Sequence, residues 1–404
     1  MDKEKNNHIE EIEIEINSSN SENGAMEESY KKRNKKRAEK NKKINIVKII
    51  FIILFLFLAV FFGYKAFFEI RKNQTTAKDN IYYTPAAQTT SGQFKNFFVT
   101  TTIDGIKIIN QNGEDVLSDV NMAVSPYVKG MNEPVFLTNN KTMLIYDISG
   151  KTAVLFGESG VIKTLNFPNE IIKAKMSASG QFVVILKTEG SKAAVKVYNQ
   201  DGNELMTWYS GTGYVADAQI SDTKSAMAVV TNEVSNSKIS SKILFFTFDN
   251  PEPYMGKILG ESVAAYVSFY DDFAYVLCDD CLYFIDSEGD LSKPLSFGKD
   301  RMKFFKSFKN GNLMICKAAS EPEKYEVCVF NSKGKQISSF LMDSFLSVCD
   351  ISDKEFLVLK RRGVMSVNDH GKTIRDISFE FDVKNASYYK DKIVVLSQDA
   401  IYIY

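Results

Sequence analysis

The sequence is short of the side chains that most often carry chemistry. Among 404 residues there are two histidines, one tryptophan, eight prolines and five cysteines. His8 stands near the N-terminus and His370 sits beside Gly371. Zinc hydrolases and histidine-based triads therefore lose their usual ligand pair and base, and His370 reads as a solvated turn residue. Acidic and basic residues cancel at fifty each, so the chain lacks the field of one sign with which nucleic-acid binders condense onto phosphate. No nucleic-acid partner is expected. Scarce proline beside plentiful Phe, Ile, Tyr and Val favours strands over a disordered chain.

All the cysteines lie beyond residue 270, and an odd number cannot pair completely within one chain. Cys278 and Cys281 flank Asp279 and Asp280 in what reads as the two-residue loop of a hairpin, a place for a tight redox disulfide or half a metal site. A four-thiolate zinc site needs a second close pair, which the sequence does not have. Cys316 and Cys328 fall on consecutive strands with the spacing to face each other, while Cys349 sits in an apolar run. Buried structural thiols are the simplest account, and a reducing or anaerobic exterior would remove the pressure toward disulfides. Neither a metal nor a cofactor is expected.

Long apolar runs are missing too, with one exception. Residues 49–64, from Ile49 through Phe57 to Tyr64, carry no charge and no proline. Extended back to Ile44, the run is roughly 31 Å long as a helix, the thickness of a hydrocarbon core once Lys48 snorkels. Ahead of it stand Lys31, Lys32, Arg33, Lys35, Lys36, Arg37, Lys40, Lys42 and Lys43, whereas Lys65, Arg71 and Lys72, offset by Glu69, follow it. The basic side stays inside, and orientation and anionic headgroups explain the cluster better than nuclear targeting does. Ala66 is the lone small residue just past the apolar core, so the segment reads as an uncleaved signal anchor. The expected layout is a charged cytoplasmic tail over 1–43, a transmembrane helix over 44–68, a linker over 69–79 and an extracytoplasmic domain over 80–404.

Within the tail, Glu11 to Ile16 alternates acidic and apolar residues strictly, which is the period of a half-buried strand. Residues 9–16 read either as a disordered acidic stretch or as a short motif that adds to the sheet edge of an inner partner.

From about residue 94 one local pattern recurs: an apolar strand, a hairpin, a second apolar strand ending in Asn or Asp, then a Gly turn and a more polar strand. The turns stand at Asn110 to Gly113, Asp147 to Gly150, Asn199 to Gly202, Asp286 to Gly289, Asn331 to Gly334 and Asn368 to Gly371, with Asp249 and Asn250 taking the slot without Gly. An Asn or Asp side chain bonds its own backbone two residues on, and Gly supplies the positive φ of a tight turn. The spacing suits four short strands, one propeller blade. Runs such as Phe182 to Leu186, Ile243 to Phe246, Tyr275 to Leu277 and Ile393 to Leu396 are too short for helices and apolar on both faces, as strands between two neighbours must be.

Paired inner strands number eight, near 97–110, 134–147, 182–199, 226–248, 273–286, 313–331, 355–368 and 392–404, but the eighth has no outer strand after it. Residues 80–88, with Ile81, Tyr82 and Tyr83, are placed to fill that gap and abolish the edge. The expected fold is all-β, an eight-bladed β-propeller with seven blades as the runner-up, carried on one N-terminal transmembrane helix.

These turns after apolar strands resemble those of WD-repeat and quinoprotein-like propellers, and the layout over 45–404 is similar to an uncharacterised family of single-pass membrane-anchored propeller proteins of Gram-positive-type bacteria. The resemblance implies a propeller and no particular activity. No Trp-Asp dipeptide closes any repeat and Trp208 stands alone, so a bound quinone is not implied.

In a propeller the hairpins joining second and third strands point to one end of the ring. Asp279 and Asp280, Lys360, Arg361 and Arg362, and Gln398 and Asp399 are therefore expected to share a face. Its mixed charge suits a protein or glycan partner more than a polyanion. Gly211 to Ala216 spells a dinucleotide fingerprint but lies between strands, with no helix to receive a pyrophosphate. Asp286, Glu288 and Asp290 fall on a repeat turn, which accounts for them more simply than Ca²⁺ does. Asn140 and Asn385 head sequons that would matter only in a eukaryotic secretory pathway. The leading expectation is a membrane-tethered extracytoplasmic binding or scaffolding protein. The alternatives are a glycan-active enzyme with carboxylates in the central channel and a receptor that relays a signal to the inner tail.

Overall fold

The computed structural model describes residues 78–82, 91–94, 96–102, 105–110, 130–139, 141–271, 273–297, 302–308, 311–321, 324–342, 347–351 and 355–404. The expected tail over 1–43, the expected membrane helix over 44–68 and residues 69–77 of the expected linker lie outside them. What is described forms eight antiparallel sheets, the blades of a β-propeller. Blade 1 spans 91–109, blade 2 134–166, blade 3 171–210, blade 4 214–260, blade 5 264–296, blade 6 302–342, blade 7 347–378 and blade 8 385–403. Eight blades are thus found, and seven is set aside.

Alternation along each strand explains the sequence pattern. In the second strand of blade 3, Phe182–Leu186, the side chains of Phe182, Val184 and Leu186 enter the seam with blade 2, while Val183 and Ile185 enter the seam with blade 4. Both faces are covered, so the run is apolar without interruption. Buried hydrophobics accordingly fall into eight clusters, one in each seam between consecutive blades and one between blades 8 and 1.

The closing strand is Lys78–Tyr82, which takes the outer position of blade 8 antiparallel to Ala400–Ile403, with Ile81 opposite Ile401 and Tyr82 opposite Ala400. It begins two residues before the expected 80–88, and Tyr83 lies outside the described residues. On the inner side the ring closes through blade 1. The Tyr389 hydroxyl donates to the carbonyl of Asn96, and its ring lies 6.1 Å from that of Phe98.

The repeat turns follow one chemistry. Asn199, Asp286, Asn331 and Asn368 each accept two backbone N–H groups, two and four residues on, through Oδ1. The Gly three residues after each sits at φ between 76° and 84°, the left-handed region that Gly enters without penalty. Asp290 and His370 are thereby turn residues, as expected. Asp147 to Gly150 is different and corrects the reading of blade 2. It joins that blade's second strand, Met143–Asp147, to its third, Thr152–Gly157, so 134–147 holds a first and a second strand. Here Ser149 takes the positive φ, 62°, and Asp147 Oδ1 accepts from the N–H groups of Asn132 and Glu133 instead. The residues of Asn110 to Gly113 beyond Asn110 lie outside the description.

Candidate functional site

Strand direction alternates within a blade, so connections fall on two ends of the ring. Hairpins between second and third strands, together with the connectors between blades, occupy one end, called here the hairpin end. The opposite turn end carries the Asn/Asp-Gly turns. Lys78 pairs with Ile403, where the third strand of blade 8 finishes, so the chain enters the ring at the turn end.

The sequence-predicted residues sit on the hairpin end, at the second-to-third hairpins of blades 5, 7 and 8. In blade 5, Asp279 and Asp280 form the two-residue loop between Phe273–Cys278 and Cys281–Ile285. Asp279 Oδ1 accepts the Val263 N–H at 2.9 Å and Asp279 N–H donates to Val263 O at 3.0 Å, while Asp280 O accepts the Phe297 N–H. In blade 7, Lys360 Nζ donates to both oxygens of Asp376 at 2.8 Å. Arg361 and Arg362 both bond Asp382, through Nε at 3.2 and 3.0 Å, and their side chains are 78% and 62% exposed. The two guanidinium groups hold the Asp382 carboxyl below the usual carboxylate range. Backbone bonds from Phe379 and Val383 to the carbonyls of Arg362 and Arg361 fix this loop to the connector beneath it. In blade 8, Asp399 Oδ1 accepts from the Ser397 hydroxyl.

One hairpin departs from the rest and was not singled out in the sequence. In blade 4 the second and third strands, Ala226–Ser235 and Lys238–Thr247, have ten residues each, whereas the corresponding strands of blade 3 have five and six. The first strand reaches only to the Tyr214–Asn232 pair and the outer strand only to Ser241–Gly260. Beyond them the pairs Glu233–Ser240, Val234–Ile239 and Ser235–Lys238 form a two-stranded ribbon, about 10 Å long at strand rise. Asn236 and Ser237 turn its tip at φ 48° and 62°. Val234 is 64% exposed and Tyr214, at the ribbon's base, 56%.

The channel holds a buried ion network that the sequence reading also missed. Asp217, on the first strand of blade 4, has a fully buried side chain. Lys173 Nζ stands 2.8 Å from its Oδ1, an ion pair outside the angular range of a hydrogen bond, and Lys175 Nζ bonds Oδ2. Both lysines come from the first strand of blade 3, Ile171–Met176. From blade 5 the Val267 N–H donates to Oδ2 at 3.0 Å, and Val267 O accepts from Lys175 Nζ at 2.9 Å. Lys175 Nζ also lies 3.8 Å from the centre of the Tyr266 ring, a cation–π contact. The Tyr266 hydroxyl meets Ser307 Oγ of blade 6 at 2.6 Å. Burial lowers the Lys175 ammonium's pKa against the opposing pull of Asp217, and it pushes the Tyr266 phenol up to about 12. Among the described side chains of the first strands Asp217 is the one carboxylate, and it is spent on ion pairs.

At the turn end a polar groove of about 360 Å³ runs between blades 3 and 4, lined by Gln181, Asn199, Asp201, Asp222 and Ser225 among others. Asp222 Oδ1 accepts the Ala178 N–H at 2.6 Å, and burial raises its carboxyl. Among the described residues no group of three His, Cys, Asp or Glu side chains could hold a metal ion.

With this geometry in view, a family model matches residues 70–404, most of the chain. The chain belongs to the family of unknown function DUF5711. The DUF5711 ring is similar in fold to the computationally designed Ika8 protein, with a TM-score of 0.54 at 14% identity over 81% of this chain and 97% of that one. It is also similar to the Dos1 propeller, with a TM-score of 0.53 at 9% identity over 81% and 95%. BamB from Moraxella catarrhalis reaches a TM-score of 0.48 at 10% identity over 81% and 98%. At such identities the likeness establishes the propeller alone. No curated protein matches the DUF5711 chain.

Proposed function

We propose that this propeller is a membrane-tethered, extracytoplasmic binding platform whose hairpin end receives a protein partner. The observation that carries the reading is the blade 4 ribbon. A two-stranded ribbon without a third strand is marginal by itself; Tyr214 at its base is tied to blade 3 by Lys192, whose Nζ donates to its hydroxyl and lies 4.6 Å from its ring, while Val234 beyond it stays exposed. Contact with a second protein surface accounts for both. Arg361 and Arg362, paired on Asp382, supply a polar, charged element of the kind that surrounds such contacts. The tether rests on the uncharged run over 49–64 and the basic cluster before it.

A photo-crosslinking residue at Val234 or Arg361, used in intact cells, should capture protein, whereas the same residue at Asp201 on the turn end should not. Capture confined to Asp201 would overturn the assignment of the hairpin end, and no protein adduct together with glycan turnover by the isolated ring would overturn the reading in favour of a glycan-active enzyme. Protease added to intact cells should reach the ring; cleavage that waits for lysis would remove the extracytoplasmic placement. Deleting residues 1–30 should leave capture at Val234 unchanged, and its loss would point to a receptor that signals through the inner tail.

A further inference from the structure

Cys278 ends the second strand of blade 5 and Cys281 opens the third, with only Asp279 and Asp280 between them. Leu277 pairs with Leu282 in register, so the next rung sets the two cysteines opposite each other. Both point into the seam between blades 4 and 5, Cys278 fully buried and Cys281 3% exposed. Cys281 Sγ reaches Ser262 Oγ at 3.6 Å. Ser262 and Val263 belong to the connector from blade 4, and Val263 is held by Asp279 on the same hairpin tip. The thiol pair therefore sits directly under a junction of two blades.

Cys316 and Cys328 offer no equivalent. Cys316 pairs with Val327 and packs toward blade 7, whereas Cys328 pairs with Ile315 and packs toward blade 5. They occupy opposite faces of one sheet, which corrects the expectation that they face each other. The side chain of Cys349 lies outside the described residues.

We propose that Cys278 and Cys281 are a modification site, a reversible dithiol–disulfide pair whose reactant is a small-molecule disulfide. One cysteine thiolate attacks a sulfur of RS–SR, whose S–S bond breaks and releases RSH, leaving a mixed disulfide on the protein. The second thiol attacks the protein-bound sulfur of that mixed disulfide, and a second RSH departs. Two protein thiols are oxidised, one external disulfide is reduced, and both protons leave on the released thiols.

The surroundings choose this chemistry over metal capture. A metal bis-thiolate would hold negative charge permanently in an apolar seam beside Asp279 and Asp280, where burial pushes both thiols up, whereas the exchange needs a thiolate only in passing and is slowed, not blocked, by the same burial. A disulfide is neutral and carries no such penalty. Directly opposed strand residues hold their Cβ atoms about 4.5–5.5 Å apart, whereas a disulfide needs about 3.5–4.5 Å. Closure must tighten the tip, and a bond made that way is readily reduced. Tightening also draws Cys281 from Ser262 and Asp279 from Val263, so oxidation is read out at the hairpin end where blades 4 and 5 meet.

The test uses the folded full-length chain. After exhaustive incubation with oxidised glutathione, remaining thiols are alkylated in denaturant and peptides are mapped by mass. The expected product is a peptide that carries both Cys278 and Cys281, lacks two hydrogens, escapes alkylation and becomes alkylatable after dithiothreitol. Cys278→Ser should leave Cys281 alkylated or glutathionylated, while Cys316→Ser should change nothing. The chain unfolded in urea serves as the control for reagent competence. Recovery of Cys278 and Cys281 as alkylated thiols from the folded chain, or links only between chains, overturns the proposal.

Discussion

The backbone N–H of Val267 donates to the carboxylate of Asp217 at 3.0 Å, so that the first strand of blade 5 is bound to a buried charge on the first strand of blade 4. Lys173 and Lys175 extend that bond to blade 3. Three successive blades thus share one ionic staple around the channel.

Breaking it from either side should have unequal cost. Asp217→Asn leaves two lysines without their counter-charge, one of them nearly buried, and should destabilise the ring by about 3–5 kcal/mol. Lys175→Met keeps Asp217 paired with Lys173 and Val267 and should cost less. Urea unfolding followed by tyrosine fluorescence compares the two, and equal losses would show that the staple is not carried by Asp217.

Alkaline pH should unfold the chain. Burial raises the phenols of Tyr266, Tyr283 and Tyr404 from the ordinary 10.0 to about 12. A raised folded value means that the unfolded chain loses its protons first, so this stability is complete below pH 10 and is lost as pH climbs toward 12. Lys175 works in the opposite direction, its ammonium lowered by burial, but one lysine is set against several tyrosines. Urea midpoints should therefore fall across that window, and Tyr266→Phe should make the fall shallower. A flat profile would contradict the burial of these phenols.

Substitution in a repeat turn tests the turn chemistry. At Gly334 φ is 82° and an added Cβ would come within 2.7 Å of the Phe284 ring. Gly334→Ala should cost about 1–2 kcal/mol from the backbone alone, with the clash added. Asn331→Ala removes the acceptor for Lys333 and Lys335 and should cost about 1 kcal/mol. Thermal melting ranks them.

Deleting residues 78–82 from the full chain removes the partner of Ala400–Ile403 and exposes a strand edge. The expected outcome is self-association, visible as a larger species in size-exclusion chromatography. A monomer of unchanged melting temperature would mean that the ring does not depend on this strand.

How far the sequence spoke depended on whether a feature was local. Phe182 to Leu186 revealed a doubly covered strand because both of its faces are written within five residues. Asn199 to Gly202 revealed its turn because donor, acceptor and glycine are neighbours in the chain. Ile81 and Tyr82 could be assigned to the eighth blade because a missing outer strand must be replaced. Asp147 to Gly150 misled, since the same spelling closes a different hairpin in which Ser149 takes the left-handed turn. Its glycine serves another need there, because a Cβ on Gly150 would strike Asp147 at 2.5 Å. The Asp217 network was illegible because its partners lie 42 and 50 residues away; its one trace was a lone carboxylate among the small apolar residues of Tyr214–Ile220. At the candidate site, the positions of Asp279, Asp280, Lys360, Arg361 and Arg362 on one end followed from hairpin topology. Their clamping by Val263, Asp376 and Asp382 did not.

The division of the apolar interior into eight seams has a consequence for how such a chain can be altered. Every blade lends half of its oily side chains to each neighbour, so excising one strips two walls at once. Cutting a surface connector and joining the old termini strips none. Circular permutants opened at the loops should hence survive where single-blade deletions collapse, and what evolution can vary cheaply in this molecule is where the thread starts.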